Sequence, residues 1–381
     1  MRLHRVVLAF SLVISGGCDL GIVGGEGSPA APPGAPPPPE DPAPPPPDIQ
    51  PPPGYVPPPP LGKGIWISHE EIAKLPMSGK AWDALLEQAN ASTGTPLVSD
   101  QNQDNNTQVL AKALVYVRTQ DQRYRNEVRA NCMAAIDTEL GGRTLALGRE
   151  LAAYVIAADL VGLERNEDIA FRAWLKRCLT ETLDGGTLVS THEDRPNNWG
   201  THAGASRAAV AAFLGDTAEL DRCAEVFKGW VGDRTTYSGF SYGDLSWQAN
   251  ESQPVGINPA GAMKSGESID GALPDDMRRG CAFQFPPCPT GYPWEALQGA
   301  TVMAEILHRA GYDAWSWGDK ALFRAVRFLY NLDARYSGWW ASGDDEWNVW
   351  LVNHAYGTDF PTESPAGDGK NMGWTDWTHA R

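Results

Sequence analysis

Cysteine and histidine are scarce in this chain, and cations are outnumbered. Six cysteines and seven histidines stand among 381 residues. Beyond Cys18 the cysteines fall at positions 132, 178, 223, 281 and 288, a spacing unlike that of a metal site. Cys281 and Cys288 flank a Pro-rich turn and are the expected disulfide pair, and at least one other thiol is left over. Lys and Arg total 31 against 47 Asp and Glu, a net charge of −16. A phosphate-binding surface needs a surplus of Lys and Arg, so nucleic acid is not an expected partner. An acidic polymer is not excluded, because a local basic cleft can sit on an acidic protein. No metal and no cofactor are expected. Strand signals are sparse as well.

What is present begins with an export signal. Arg2, His4 and Arg5 give a basic start, Val6 to Ile14 are almost wholly apolar, and Ser15-Gly16-Gly17 precede Cys18. The apolar stretch is too short to span a bilayer. Small residues before a cysteine suit a lipoprotein processing site, with the Cys18 thiol taking the lipid and anchoring the chain to a membrane. One departure is Ile14, a bulky aliphatic one place earlier than usual; the alternative is an ordinary secretory signal cut nearby. Residues 19–60 are dominated by Gly and Pro, with runs such as Pro37-Pro38-Pro39 and Pro57-Pro58-Pro59-Pro60. Little there can be buried, so this stretch is expected to be a disordered, extended tether. Residues 61–381 show no second break in composition and are expected to form one domain.

Within that domain the apolar residues recur with helical period. The pattern predicts helices over 107–119, 146–162, 202–214, 217–231, 294–310 and 319–331, with a stop at Gly215-Asp216. Paired helices with short turns predict an all-α fold, an α-hairpin array that is either a solenoid or a closed α/α toroid; periodicity does not choose between them. Tryptophan is abundant, 15 in all. Trp199, Trp247, Trp294, Trp339, Trp340, Trp374 and Trp377 lie outside the apolar stripes. Flat apolar rings suit sugar faces, although for any single Trp a place in the core is the commoner use.

Four loop segments are dense in polar and aromatic side chains. They are Arg195-Pro196-Asn197-Asn198-Trp199-Gly200-Thr201-His202, Tyr237 to Tyr242, Asp270-Gly271-Ala272-Leu273-Pro274-Asp275-Asp276-Met277-Arg278-Arg279-Gly280, and Lys370 to Trp377. Here the chain resembles the alginate lyases built on an α/α toroid. These carry Asn-Asn-His at a helix start and Asp-Gly-x-Leu-Pro-x-Glu-x-x-Arg-Gly, followed by a catalytic Tyr. The resemblance covers about residues 75 to 335. Three positions depart from it. Trp199 stands where the family has His, with His202 three places on. Asp276 replaces the Glu. Pro286 falls where the Tyr is due, and the nearest tyrosines are Tyr242 and Tyr292.

The resemblance implies a polysaccharide lyase that cleaves a uronate polymer, alginate or similar, by β-elimination. The C5 proton becomes acidic only when the adjacent carboxylate is neutralised, for which an Asn amide and an Arg guanidinium are suited. A base then removes the proton and an acid protonates the leaving O4. Asn198 and Arg279 are the expected neutralisers, His202 the base, and Tyr242, ahead of Tyr292, the acid. Asn197, Trp199, Tyr292, Trp247 and Trp294 are expected to bind the anionic polysaccharide. Each has a plainer use. Asn197 or Asn198 caps a helix, His202 is a hydrogen-bonded structural residue, Arg279 pairs with Asp275 or Asp276, and the tyrosines pack. Two other functions fit the same residues. A glycoside hydrolase would draw two carboxylates from Asp275, Asp276, Glu295, Asp344 and Asp345. A surface lipoprotein that binds polysaccharide without turnover would need no base or acid.

Overall fold

The computed structural model describes residues 45–380. The expected signal segment, Cys18 and the part of the expected tether before residue 45 lie outside them. The described chain is all-α. It contains α1 (His69–Ile72), α2 (Lys80–Asn90), α3 (Asn105–Thr119), α4 (Gln122–Ala135), α5 (Thr144–Val161), α6 (Arg165–Thr180), α7 (Leu188–Asp194), α8 (Asn198–Leu214) and α9 (Thr217–Trp230). A two-stranded antiparallel hairpin follows, β1 (Met263–Lys264) with β2 (Glu267–Ser268). Then come α10 (Pro274–Met277), α11 (Tyr292–Arg309), α12 (Trp317–Tyr336), α13 (Glu346–Tyr356) and α14 (Thr375–Thr378). The stop after α8 is as the sequence predicts, with Gly215 in the left-handed region at φ 71°.

The helices divide by how much of their surface is apolar. In α5, α8 and α11 nearly every side is buried, which is what an all-round apolar helix requires. α4, α6 and α9 bury one stripe and show a charged face outward. α8 packs between α5 and α11, and α3 lies on the far side of α5. Glycine permits the closest of these contacts. A Cβ on Gly299 of α11 would stand 2.4 Å from the backbone N of His202 on α8, and one on Gly148 of α5 would stand 2.9 Å from the N of Ala203. Ser206 stitches α8 to α5, donating to Gly148 O at 2.7 Å and accepting from Ala152 N at 3.0 Å.

The C-terminal segment returns to the first helices. Trp374 Nε1 donates to Thr107 O at 3.0 Å, and Trp377 Nε1 donates to Pro76 O at 2.8 Å. The Trp377 ring also rests 5.4 Å from that of Trp82. One disulfide joins Cys281 and Cys288, while Cys132, Cys178 and Cys223 are free and buried.

Residues 45–60, expected to be part of the tether, belong by contact to the compact unit 45–381. They have no regular secondary structure, but they are pinned. Tyr55 Oη donates to His354 O at 2.5 Å, and His308 Nε2 lies 3.1 Å from Pro58 O. Composition alone hides this, because proline-rich chain needs only a few anchoring side chains to lie on a surface. Removing residues 45–60 is expected to lower the thermal unfolding midpoint of the domain by a few degrees, and an unchanged midpoint would make the segment a loose passenger.

Candidate active site

The Asn197-Asn198 and Asp270–Gly280 segments interlock. Asn197 is the N-cap of α8, its Oδ1 accepting from Trp199 N at 3.2 Å. The other end of its amide donates to Asp275 Oδ2 at 2.9 Å. Asn198 N donates to Asp276 Oδ1 at 3.2 Å. Arg279 Nη1 donates to Asn198 Oδ1 at 2.7 Å. The second segment is itself clamped, since Asp270 forms ion pairs with Arg324 (2.7 Å) and Arg327 (3.2 Å). Gly271, at φ +82°, has no room for a side chain, because a Cβ would stand 2.1 Å from Arg324 O.

The pairing of Arg279 with an aspartate, the plainer expectation, does not occur; Arg278 takes Asp275 at 2.7 Å. Arg279 is half-buried, and its guanidinium carbon lies 3.1 Å from the centroid of the Tyr292 ring. Among the described residues it makes no side-chain hydrogen bond beyond the one to Asn198, and the Asn198 NH2 group makes none. Tyr292 opens α11 and is 36% exposed. Two groups able to donate to a carboxylate are therefore joined to each other, and the guanidinium of the pair rests on the exposed Tyr292.

The other expected residues are placed differently. His202 lies on the same face of α8 as Asn198, one turn deeper, and is fully buried. Neither ring nitrogen has a hydrogen-bond partner, and Nε2 is 3.9 Å from Glu295 Oε2. Burial, which outweighs the attraction of Glu295, pushes its pKa down to about 4. A base shut from solvent in this way does not reach a bound polymer. The Tyr242 hydroxyl is likewise buried without a partner, and burial raises its pKa. Its segment is tied to Asp275 through Gly243 N (3.3 Å), not to Arg279. Trp247 is fully buried, with Nε1 donating to Cys281 O at 3.0 Å and Phe283 against its ring. Trp294 is buried too and donates to Trp339 O at 2.8 Å. Neither presents a face to a sugar. Trp199 is half-buried, with the Arg195 guanidinium 4.5 Å over its ring.

Beneath Tyr292 lies a polar floor outside the expected residues, except that the carboxylates counted for a hydrolase contribute to it. Glu295 binds the buried Arg149 and lies 3.6 Å from Lys370 Nζ. Burial would raise its pKa, but His202, Arg149 and Lys370 together bring it down to about 2. Asp345 goes the other way, to about 8, mainly through burial and then the neighbouring Asp344. Asp276 is also pushed well above the usual carboxylate range, by burial and by Asp275. Among the described residues no group of three or more His, Cys, Asp or Glu is placed to hold a metal ion, and no helix is long and apolar enough to cross a membrane.

Residues 108–239 match the alginate lyase family model. The matched span takes in Asn197, Asn198, Trp199 and His202. Arg279, Tyr292 and, of the floor, Glu295, Asp345 and Lys370 lie beyond it, while Arg149 falls within it. No curated protein matches the chain.

His202 also sets a pH dependence. Its folded pKa is below the ordinary value of 6.5. Its neutral burial therefore favours the fold fully above pH 6.5, and that contribution is lost as pH falls toward 4. The difference in unfolding midpoint between the wild type and His202→Gln is expected to shift in favour of the variant between about pH 7.5 and about pH 4. Parallel profiles would show that the ring takes up its proton without cost in the fold.

Proposed function

We propose that this protein is a polysaccharide lyase that cleaves a uronate polymer by β-elimination, with Asn198, Arg279 and Tyr292 at the reacting unit. The observation that carries this is the trio itself: an amide NH2 and a guanidinium with unspent donors, the guanidinium stacked on an exposed tyrosine. Asn198 and Arg279 would neutralise the substrate carboxylate and make the C5 proton acidic. Once its own phenolic proton has passed to solvent, the Tyr292 oxygen would take the C5 proton, the C5 electron pair would form the C4–C5 double bond, and the C4–O4 bond would break. On a mannuronate unit the two groups lie on one side of the ring, so the same phenol would hand the proton to O4. This reading moves the acid from Tyr242 to Tyr292 and leaves His202 as a buried support. The family match agrees with lyase chemistry. The return of α14 to the first helices agrees with an α/α toroid. An exported lipoprotein anchored through Cys18, with the polymer as partner, remains the proposed setting.

A hydrolase reading has one feature in its favour: in the same polar floor Glu295 is pushed down by its cationic neighbours and Asp345 is pushed up by burial, the split that an acid and a base require. One experiment separates the two. Residues 45–381 are incubated with polymannuronate, polyguluronate and glucuronan while ultraviolet absorbance and reducing ends are followed. Elimination leaves a conjugated unsaturated uronate that absorbs. New reducing ends without absorbance would replace the lyase with the hydrolase, and neither signal would leave a binding protein.

A further inference from the structure

Lys370, Glu295 and Asp344 are not used by the elimination step, yet Glu295 stands one helical turn along α11 from Tyr292, and Lys370 joins it to Asp344. Lys370 Nζ lies 3.6 Å from Glu295 Oε1 and 3.6 Å from Asp344 Oδ2. These are ion-pair distances, too long for hydrogen bonds. Among the described residues the ammonium makes no direct hydrogen bond, so its three donors are unspent. It is held in place from behind, with the Lys370 carbonyl accepting from the buried Asn106 amide at 2.7 Å.

The surrounding side chains carry more unused polar capacity. Asn371, 1% exposed, donates to Gln298 O at 3.3 Å but leaves Oδ1 without a partner. Gln298 is fully buried and donates to Asp345 Oδ1 (2.7 Å) and Asp344 O (3.2 Å), while its own Oε1 is unpartnered. His202, against Glu295, has both nitrogens unpartnered. Buried polar groups left in this state call for a partner.

We propose that Lys370, Glu295 and Asp344 form a subsite for the ring hydroxyls of a sugar unit next to the one being cleaved. An ammonium flanked by carboxylates offers donor and acceptors side by side, the arrangement a pair of adjacent hydroxyls requires. Arg149 and Lys370 are matched by Glu295 and Asp344, which leaves no excess positive charge to hold a uronate carboxylate, so the subsite takes hydroxyls and leaves the acid group to Arg279. This deepens the lyase reading and rests on it.

The test compares the wild type with Lys370→Met, Asp344→Asn and Glu295→Gln. Lyase kinetics, calorimetric binding of short mannuronate and guluronate oligosaccharides, and thermal unfolding are measured on each. Lys370→Met is expected to raise KM and Kd about ten- to a hundredfold, with kcat within a few-fold of wild type. Asp344→Asn, at a partly exposed position, is expected to raise both a few-fold without loss of fold. Oligosaccharides lacking one ring hydroxyl should bind wild type more weakly, yet bind Lys370→Met no worse than the parent sugars do. An unchanged Kd in folded Lys370→Met and Asp344→Asn overturns the subsite, as does loss of kcat at constant KM in Glu295→Gln. Binding by the wild type without an absorbance signal would remove the lyase reading alone, and the Kd comparison would still decide the subsite. No binding by the wild type overturns both.

Discussion

Arg279→Ala is expected to lower kcat on the preferred polyuronate by about 10²- to 10³-fold, the range found when one preorganised donor to a developing anion is removed. Asn198 alone then faces the carboxylate, and a neutral amide stabilises the charge that builds there less than a guanidinium does. The loss is expected in kcat more than in KM, because the interaction strengthens as the C5 proton leaves. Arg279→Lys is expected to recover only part of the rate. A lysine restores the charge but neither stacks on Tyr292 nor presents a planar fork to Asn198 and a carboxylate together. The variant should remain folded, since Arg279 is half-buried and its loss strands a single acceptor, Asn198 Oδ1. Steady-state kinetics with an unfolding curve for each variant would check this. Near-wild-type kcat in folded Arg279→Ala would remove Arg279 from the chemistry.

Tyr292→Phe is expected to cost at least as much, about 10²- to 10⁴-fold in kcat, as for loss of a positioned acid or base. The substitution keeps the ring beneath the guanidinium and deletes only the hydroxyl. Tyr242→Phe is the matched control. Its hydroxyl is buried without a partner, so replacing it by hydrogen is expected to leave the rate within about twofold and the stability unchanged or improved. A large loss in Tyr242→Phe, with Tyr292→Phe active, would return the acid role to Tyr242.

The contrast between these tyrosines shows where the sequence stops being legible. The helices could be read from period, and α8 could be ended at Gly215 from local chemistry. The Asn198–Arg279 hydrogen bond agrees with the motifs, because both segments carry their own signatures. The partner of Arg279 is a different matter. It depends on the Cys281–Cys288 loop turning the chain so that α11 begins under the guanidinium, and no residue spacing states that. His202 has the expected phase on α8, but its depth is not legible in the sequence: one turn below Asn198 the helix already lies between α5 and α11. Trp247 and Trp294 sit in polar, Gly-rich stretches that look like a groove from composition, yet each indole N–H is taken by a backbone carbonyl. The floor of Glu295, Arg149 and Lys370 joins three distant parts of the chain, so no local pattern announces it.

The missing methyl groups at Gly148 and Gly299 bear on precision as well as packing. Asn198 rides on α8 and Tyr292 on α11, so the gap between amide and phenol is set by how closely two helix backbones touch. With nothing between them to compress or rotate, that gap behaves as a machined tolerance. A single added carbon at Gly299, 2.4 Å from the His202 backbone, would act as a shim, detuning the reaction from inside the scaffold without replacing any reacting side chain.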